Sequence, residues 1–120
     1  EPFVYLASDC QQVASSGAAF VFTDGHAAAY ITDNFDDLTH LDRVSWDVVY
    51  ERYWKDTVDD PDRKRRKQAE FLVHRFLDWR LVQEIGVANE QMKARVQAAL
   101  DPVPPGQQRP VAVRPEWYYY

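Results

Sequence analysis

Arg63-Lys64-Arg65-Arg66-Lys67-Gln68-Ala69-Glu70-Phe71-Leu72-Val73 carries five consecutive basic side chains straight into a run with strand character. Side chains alternate between the faces of a strand, so Gln68, Glu70, Leu72 and His74 are expected on one face and Ala69, Phe71 and Val73 on the other. The second set reads as core. The first brings an amide and a carboxylate together at the mouth of a strand, directly after a basic loop. Burying a carboxylate there without a partner is costly, so Glu70 is expected to face a cleft or pair with a cation. The same pattern fits a solvated basic loop beside an incidental carboxylate, and a basic cluster of this length also fits a nucleic-acid contact or a localisation tag.

Upstream of this stretch, residues 55–67 carry almost no apolar side chains and are predicted to form an exposed loop, with a helical turn opening at Pro61 as a variant. Before it, Trp46, Val49, Tyr50, Tyr53 and Trp54 fall at helical spacing behind Ser45 as N-cap, and such an aromatic stripe reads as core packing. Residues 33–43 are acidic and read as a loop or one helical turn. Ala19-Phe20-Val21-Phe22 reads as a strand closed by the Asp24-Gly25 turn, while 26–31 suits a helix by its alanines and a strand by Tyr30 and Ile31. Residues 3–7 alternate as a strand, followed by a short helix capped by Ser8 or Asp9 and stopped by Gly17. A chain that opens in a strand, from Pro2 onward, is often part of a larger unit.

Downstream, Asp78 is expected to cap a helical turn over 79–82, and Ile85-Gly86-Val87 reads as a strand. Asn89 is expected to cap a helix whose inner face is Met92, Val96, Ala99 and Leu100; Pro102 to Gly106 breaks it, and 110–113 is a final strand. Several strands follow one another without room for a crossover helix. The predicted fold class is therefore α+β, with a mixed, largely antiparallel sheet and short helices.

At 120 residues and 46% hydrophobic side chains, the chain has the size and the apolar content of one ordinary domain. No apolar run approaches the ~20 residues that span a bilayer, nothing at the start resembles an export signal, and the single Cys10 makes no internal disulfide. No metal site and no membrane association are expected, and a cytoplasmic location follows. The net charge of -5 argues against binding nucleic acid by bulk attraction, but the charge is segregated. Asp24 to Asp62 holds eleven acidic and three basic residues, whereas Arg63 to Arg80 holds seven basic and two acidic. A polyanion is expected to approach at that reversal.

Gln68-Ala69-Glu70 at a strand start resembles the way many ADP-ribosyltransferases present their catalytic carboxylate. The wider string, Arg52-Tyr53-Trp54 and then Asp59-Asp60-Pro61-Asp62 through Val73, is similar to the DarT family, toxins that attach ADP-ribose to thymidine in single-stranded DNA. Phe20-Val21-Phe22-Thr23-Asp24-Gly25-His26-Ala27, Glu84-Ile85-Gly86-Val87 and Val113-Arg114-Pro115-Glu116-Trp117-Tyr118-Tyr119 extend the resemblance over essentially the whole chain, but over only about the second half of the family's domain. Residues 1–120 are thus expected to be a single unit, the C-terminal portion of an ADP-ribosyltransferase domain, with the N-terminal half absent and this fragment poorly active alone.

The resemblance implies an NAD-dependent DNA ADP-ribosyltransferase of ADP-ribosyltransferase-like fold, with NAD as co-substrate and Glu70 as the catalytic residue. Gln68 would orient the sugar or the target base. His26 would contact NAD or the base, against the alternative of a loop histidine bonded to backbone. Arg63, Lys64, Arg65, Arg66 and Lys67 would contact phosphates of the acceptor strand. Arg114 and Trp117 to Tyr120 would either stack on bases or pack as core or interface. The family also implies a partner, an antitoxin whose macrodomain removes ADP-ribose from DNA. Two other functions fit these residues: a non-catalytic module for single-stranded nucleic acid, and a transferase acting on RNA or protein.

Overall fold

Two three-stranded sheets organise the chain, which the computed structural model describes over residues 3–118. The chain divides into two compact units: Ala14–Phe76, and the residues up to Val13 together with those from Leu77 onward.

In the Ala14–Phe76 unit, β2 (Phe20–Thr23) lies between β3 (Asn34–Phe35) and β4 (Phe71–Val73), antiparallel to both. The register pairs Phe22 with Phe35 and with Phe71, and Phe20 with Val73. The aromatic rings therefore stack across the sheet, Phe20 on Phe71 at 5.0 Å and Phe22 on Phe35 at 5.4 Å. Each such pair adds about 0.5–1.5 kcal/mol beyond simple burial. The opposite side of β4 carries Leu72, which is exposed, so the predicted alternation of Phe71 and Val73 against Leu72 and His74 holds. Residues 26–31 take neither of the two expected forms and are turns.

Two expectations for this unit are overturned. The helix after Ser45 is only α2 (Trp46–Tyr50), and its buried residue is Val48, with Val44 just ahead of it. Trp46, Tyr50 and Tyr53 are 40%, 80% and 52% exposed, so the aromatic stripe is not a core face. The C-terminal end of α2 meets the basic run instead. Lys67, only 5% exposed, donates to the carbonyls of Val48 and Val49, at 3.3 and 2.9 Å, and of Glu51, taking up the C-terminal end of α2. Its ammonium also sits 4.9 Å from the Trp54 ring centre. The run itself is a short helix, α3 (Arg63–Lys67), as the variant with a helical turn opening at Pro61 expected, while residues 55–60 ahead of it are irregular.

In the other unit, β1 (Tyr5–Ala7) pairs antiparallel with β5 (Glu84–Val87), and β5 pairs parallel with β6 (Val111–Val113). The helix expected after Asn89 is α4 (Glu90–Leu100), and it supplies the crossover that makes β5 and β6 parallel, the one parallel pairing found among the described residues. Asn89 caps α4 by accepting from the Met92 N–H at 2.9 Å. Met92, Val96 and Leu100, one helical stripe, cover Ile85, Val87 and Val111; Ala99 is exposed instead of joining them. Asp9, rather than Ser8, caps α1 (Cys10–Ser15) through the Gln11 and Gln12 N–H groups, and Gly17 at φ 85° ends it.

Trp117 and Tyr118 pack in this unit, as the core reading of the tail expected. The Tyr118 hydroxyl donates to the Phe3 carbonyl at 2.7 Å, and Tyr5 meets both rings edge-on. Arg114 pairs with Glu84 at 2.8 Å and lies over the Trp117 ring. Tyr119 and Tyr120, and Pro2 at the other end, lie outside the described residues. The indole of Trp117 occupies the space that a Cβ at position 86 would take, which is why a glycine stands in this central strand.

Two stability tests follow from this packing. Gly86→Ala is expected to cost about 1–3 kcal/mol by overpacking, read as a lowered denaturation midpoint, with partial recovery when Trp117→Leu is added. Lys67→Met is expected to cost about 1–3 kcal/mol through the carbonyls it strands, whereas Lys64→Met stays within about 0.5 kcal/mol; equal effects of the two would contradict the different roles assigned to them.

Candidate active site

The predicted site residues fall in the Ala14–Phe76 unit, around the point where β2 ends and β4 begins. β2 closes in Thr23, whose side chain is 1% exposed. The Thr23 N–H donates to the Glu70 carbonyl at 2.9 Å, and the Glu70 N–H donates to Thr23 Oγ1 at 2.9 Å. Both main-chain polar groups of Glu70 are thus taken by one residue. The Thr23 hydroxyl in turn donates to the Gly25 carbonyl at 2.7 Å. Glu70 itself is exposed, and its carboxylate takes part in none of the ion pairs found among the described residues.

The turn after Thr23 is tied on both sides. The Asp33 N–H donates to Asp24 Oδ1 at 3.0 Å, and the His26 N–H donates to the Arg65 carbonyl at 2.9 Å. Gly25 is buried, and a Cβ there would collide with the Arg65 side chain and crowd its carbonyl. The exposed His26 ring accepts the Ala28 N–H at Nδ1, 3.1 Å away, so in the neutral ring the proton is on Nε2, available as a donor. His26 and Glu70 are in this way brought to the same corner, one through Arg65 and the other through Thr23.

Gln68 does not share a strand face with Glu70. It caps α3, at φ -93° and ψ 21°, and its N–H donates back to the Arg65 carbonyl at 3.2 Å. Strand alternation starts only at Phe71, so the pairing of amide and carboxylate expected from a two-residue period has no geometric basis. Gln68 remains close to Glu70 through chain proximity alone.

The five basic residues have separate fates. Arg65 makes a two-pronged bond to Asp62, 2.7 Å on each side, and also donates to Thr32 Oγ1 at 3.0 Å, with Asp24 3.7 Å away. The Arg65 hydrogen bond, followed by the Arg65 and Arg66 charges, holds the Asp62 carboxyl below the ordinary carboxylate range against its partial burial. A depressed carboxylate stabilises the fold above its unfolded pKa, near ~4, and loses that contribution only as pH falls through the folded value; the pair is intact at neutral pH. Arg66 bonds Asp60 and reaches Ser45 Oγ at 3.4 Å. Arg63 donates to the Tyr53 carbonyl at 3.0 Å and pairs with Glu51 and Asp60. Burial pulls the Lys67 ammonium below the ordinary lysine range, with Arg63 adding to the shift and Glu51 opposing it. Lys64 is the exposed member of the run.

Thr23, Asp62 and Thr32 are parts of this corner that pattern reading passed over. A threonine at a strand end ahead of Asp-Gly is the available signal for the first, because the turn leaves main-chain groups in need of a side-chain partner. Further along the exposed side of the sheet, Val21, Leu72, His74 and Arg75 line a shallow depression. Among the described residues, no group of three or more histidines, cysteines and carboxylates is disposed to hold a metal ion.

Comparison with known proteins places this geometry in a family. The family described as "ssDNA thymidine ADP-ribosyltransferase, DarT" matches residues 1–119. A DNA ADP-ribosyl transferase of Thermus aquaticus is 40% identical over 118 residues, covering 98% of this chain and 50% of that protein. One from Mycobacterium tuberculosis is 32% identical over 119 residues, covering 98% of this chain and 51% of the relative. The chain spans about half the length of the curated relatives it matches. The solved structure of Thermus sp. 2.9 DarT in complex with NAD+ has a TM-score of 0.87 at 33% identity, over 97% of this chain and 57% of that one. The same protein in complex with ADP-ribosylated ssDNA also gives 0.87 at 33% identity, over 97% and 54%. The expected α+β fold of the ADP-ribosyltransferase kind is therefore the observed one. With a family match over nearly every residue and this agreement in fold, the chain belongs to the DarT family of DNA ADP-ribosyltransferases.

Proposed function

We propose that this chain carries the catalytic carboxylate of an enzyme that transfers ADP-ribose from NAD to thymidine bases of single-stranded DNA, with Glu70 in that role. The observation that carries the reading is the state of Glu70: its backbone is fixed at both polar groups by Thr23, while its carboxylate is exposed and unpaired with any cation among the described residues, despite the five basic side chains just before it.

The chemistry asks for such a group. Breaking the bond between nicotinamide and ribose develops positive charge on the sugar, as in glycoside cleavage, and nicotinamide leaves neutral without a general acid. Glu70 then holds the ribose 2′-hydroxyl, favours the cationic transition state and takes the proton from the incoming base nitrogen. His26 offers its Nε2 proton to NAD or the base, and Gln68 a neighbouring amide. The target base must be unpaired or flipped out, which fits a single-stranded acceptor. Of the basic run, Lys64 is the direct phosphate contact; Arg63, Arg65, Arg66 and Lys67 act through the field they create and through the shape they give the corner.

A cytoplasmic enzyme held in check by a macrodomain antitoxin completes the reading. Among the described residues no helix is long and apolar enough to cross a membrane. NAD-binding walls beyond this chain would come from the other half that relatives possess.

In the full-length protein, Glu70→Gln is expected to reduce labelling of a thymidine oligonucleotide from labelled NAD by at least ~10²-fold, with unchanged thermal denaturation. Undiminished labelling would remove Glu70 from the mechanism, and salt-dependent binding with no adduct from the unaltered protein would favour a silent binding module. Lys64→Ala is expected to flatten the salt dependence of oligonucleotide binding by about 0.7 in log–log slope, the share of one phosphate contact on a single strand. An unchanged slope would take Lys64 off the acceptor path.

A further inference from the structure

We infer that Thr23 is a positioning residue for Glu70, and that Arg65 keeps Thr23 in place by holding the turn that follows it. The inference rests on the reading of Glu70 as the catalytic carboxylate. In a regular antiparallel pair, residues facing each other in the hydrogen-bonded register exchange main-chain N–H and carbonyl groups in both directions. Thr23 and Glu70 make only half of that exchange with the main chain: the Thr23 N–H reaches the Glu70 carbonyl, but the Glu70 N–H goes to the threonine hydroxyl. A side-chain oxygen has replaced a main-chain one, and β4 begins a residue later, at Phe71. Glu70 therefore leaves the ladder while remaining tethered to it, as an exposed carboxylate with an orientation set from inside the fold.

The tether is stiff because the hydroxyl is used twice. It accepts from Glu70 and donates to the Gly25 carbonyl at 2.7 Å, so its rotation is settled by both partners, and it is almost fully buried. Gly25 in turn lies against Arg65, where no Cβ fits, and Arg65 is held by Asp62 and Thr32 while its carbonyl binds His26. The path runs from the Asp62–Arg65 pair through the Gly25–His26 turn to Thr23 and on to Glu70. Small displacements of a catalytic group are expensive in rate, so a change along this path acts on turnover before it acts on substrate binding.

The test is made in the full-length protein with labelled NAD and a thymidine oligonucleotide, comparing Thr23→Val, Thr23→Ser, Arg65→Lys and Glu70→Gln. Thr23→Val keeps the shape and removes both hydrogen bonds; it is expected to lower kcat by about tenfold or more while KM for NAD and oligonucleotide stay within about threefold. Thr23→Ser restores the hydroxyl and is expected to recover most of that kcat, although it loses a packed methyl. A purely packing role predicts the reverse order, with serine the worse variant. Arg65→Lys keeps the charge but loses the two-pronged bond, and is expected to lower kcat with an unchanged salt slope of DNA binding; it serves as the measurement should Thr23→Val fail to fold. Unchanged kcat in Thr23→Val, or in Arg65→Lys where the valine variant is unfolded, overturns the inference. A serine variant as impaired as valine does so too. A fully active Glu70→Gln instead overturns the reading of Glu70, and is told apart because it leaves Thr23 without a carboxylate to position.

Discussion

The guanidinium of Arg65 is the tie on which the Ala14–Phe76 unit depends at the corner that carries Glu70. Its fork meets both oxygens of Asp62, its remaining amine meets Thr32, and Asp24 lies within ion-pair distance. Asp62 lies just ahead of α3, whereas Asp24 and Thr32 stand at the two ends of the turn between β2 and β3, so one side chain ties the start of α3 to a turn more than thirty residues earlier in sequence. A planar, permanently charged group with several fixed donors suits that task better than an ammonium. The space for it exists because residue 25 has no side chain.

The same arrangement changes the meaning of the charge segregation. The acidic residues ahead of Arg63 and the basic residues after it look in sequence like two opposed fields. In the fold they are largely each other's partners: Asp60 takes Arg63 and Arg66, and Asp62 takes Arg65 and Arg66. Pairs of this kind at intermediate exposure stabilise modestly and screen with salt, but they remove much of the free positive charge from a passing polyanion. Lys67 is diverted differently, into the carbonyls at the end of α2. A five-residue basic run thus acts mostly as internal structure, with Lys64 turned outward.

What could be read in advance follows from the range of the interactions concerned. Phe71 and Val73 against Leu72, the Asp9 and Asn89 caps, and the Asp24-Gly25 turn are local patterns, and they appear where periodicity and capping put them. The length of α2 was not legible, because the carbonyls at its end find their partner in a lysine seventeen residues beyond Tyr50. The position of Gln68 was misread for a related reason: a strand period was extended backward into residues that the Arg65 and Arg66 carbonyls hold as a helix end. Glu70 stands out as a candidate from its surroundings in sequence and from family resemblance. Thr23 does not, since its importance lies in a contact 47 positions away.

The seat of Arg65 against Gly25 also constrains how such a sequence can drift. A side chain gained at position 25 would have to enter space already filled by the guanidinium, so it would be admitted only together with a shorter residue at 65 and a new partner for Asp62. The two positions, forty residues apart, are therefore expected to vary as a pair across descendants of this chain, leaving a correlated trace in sequence where neither site alone would look exceptional.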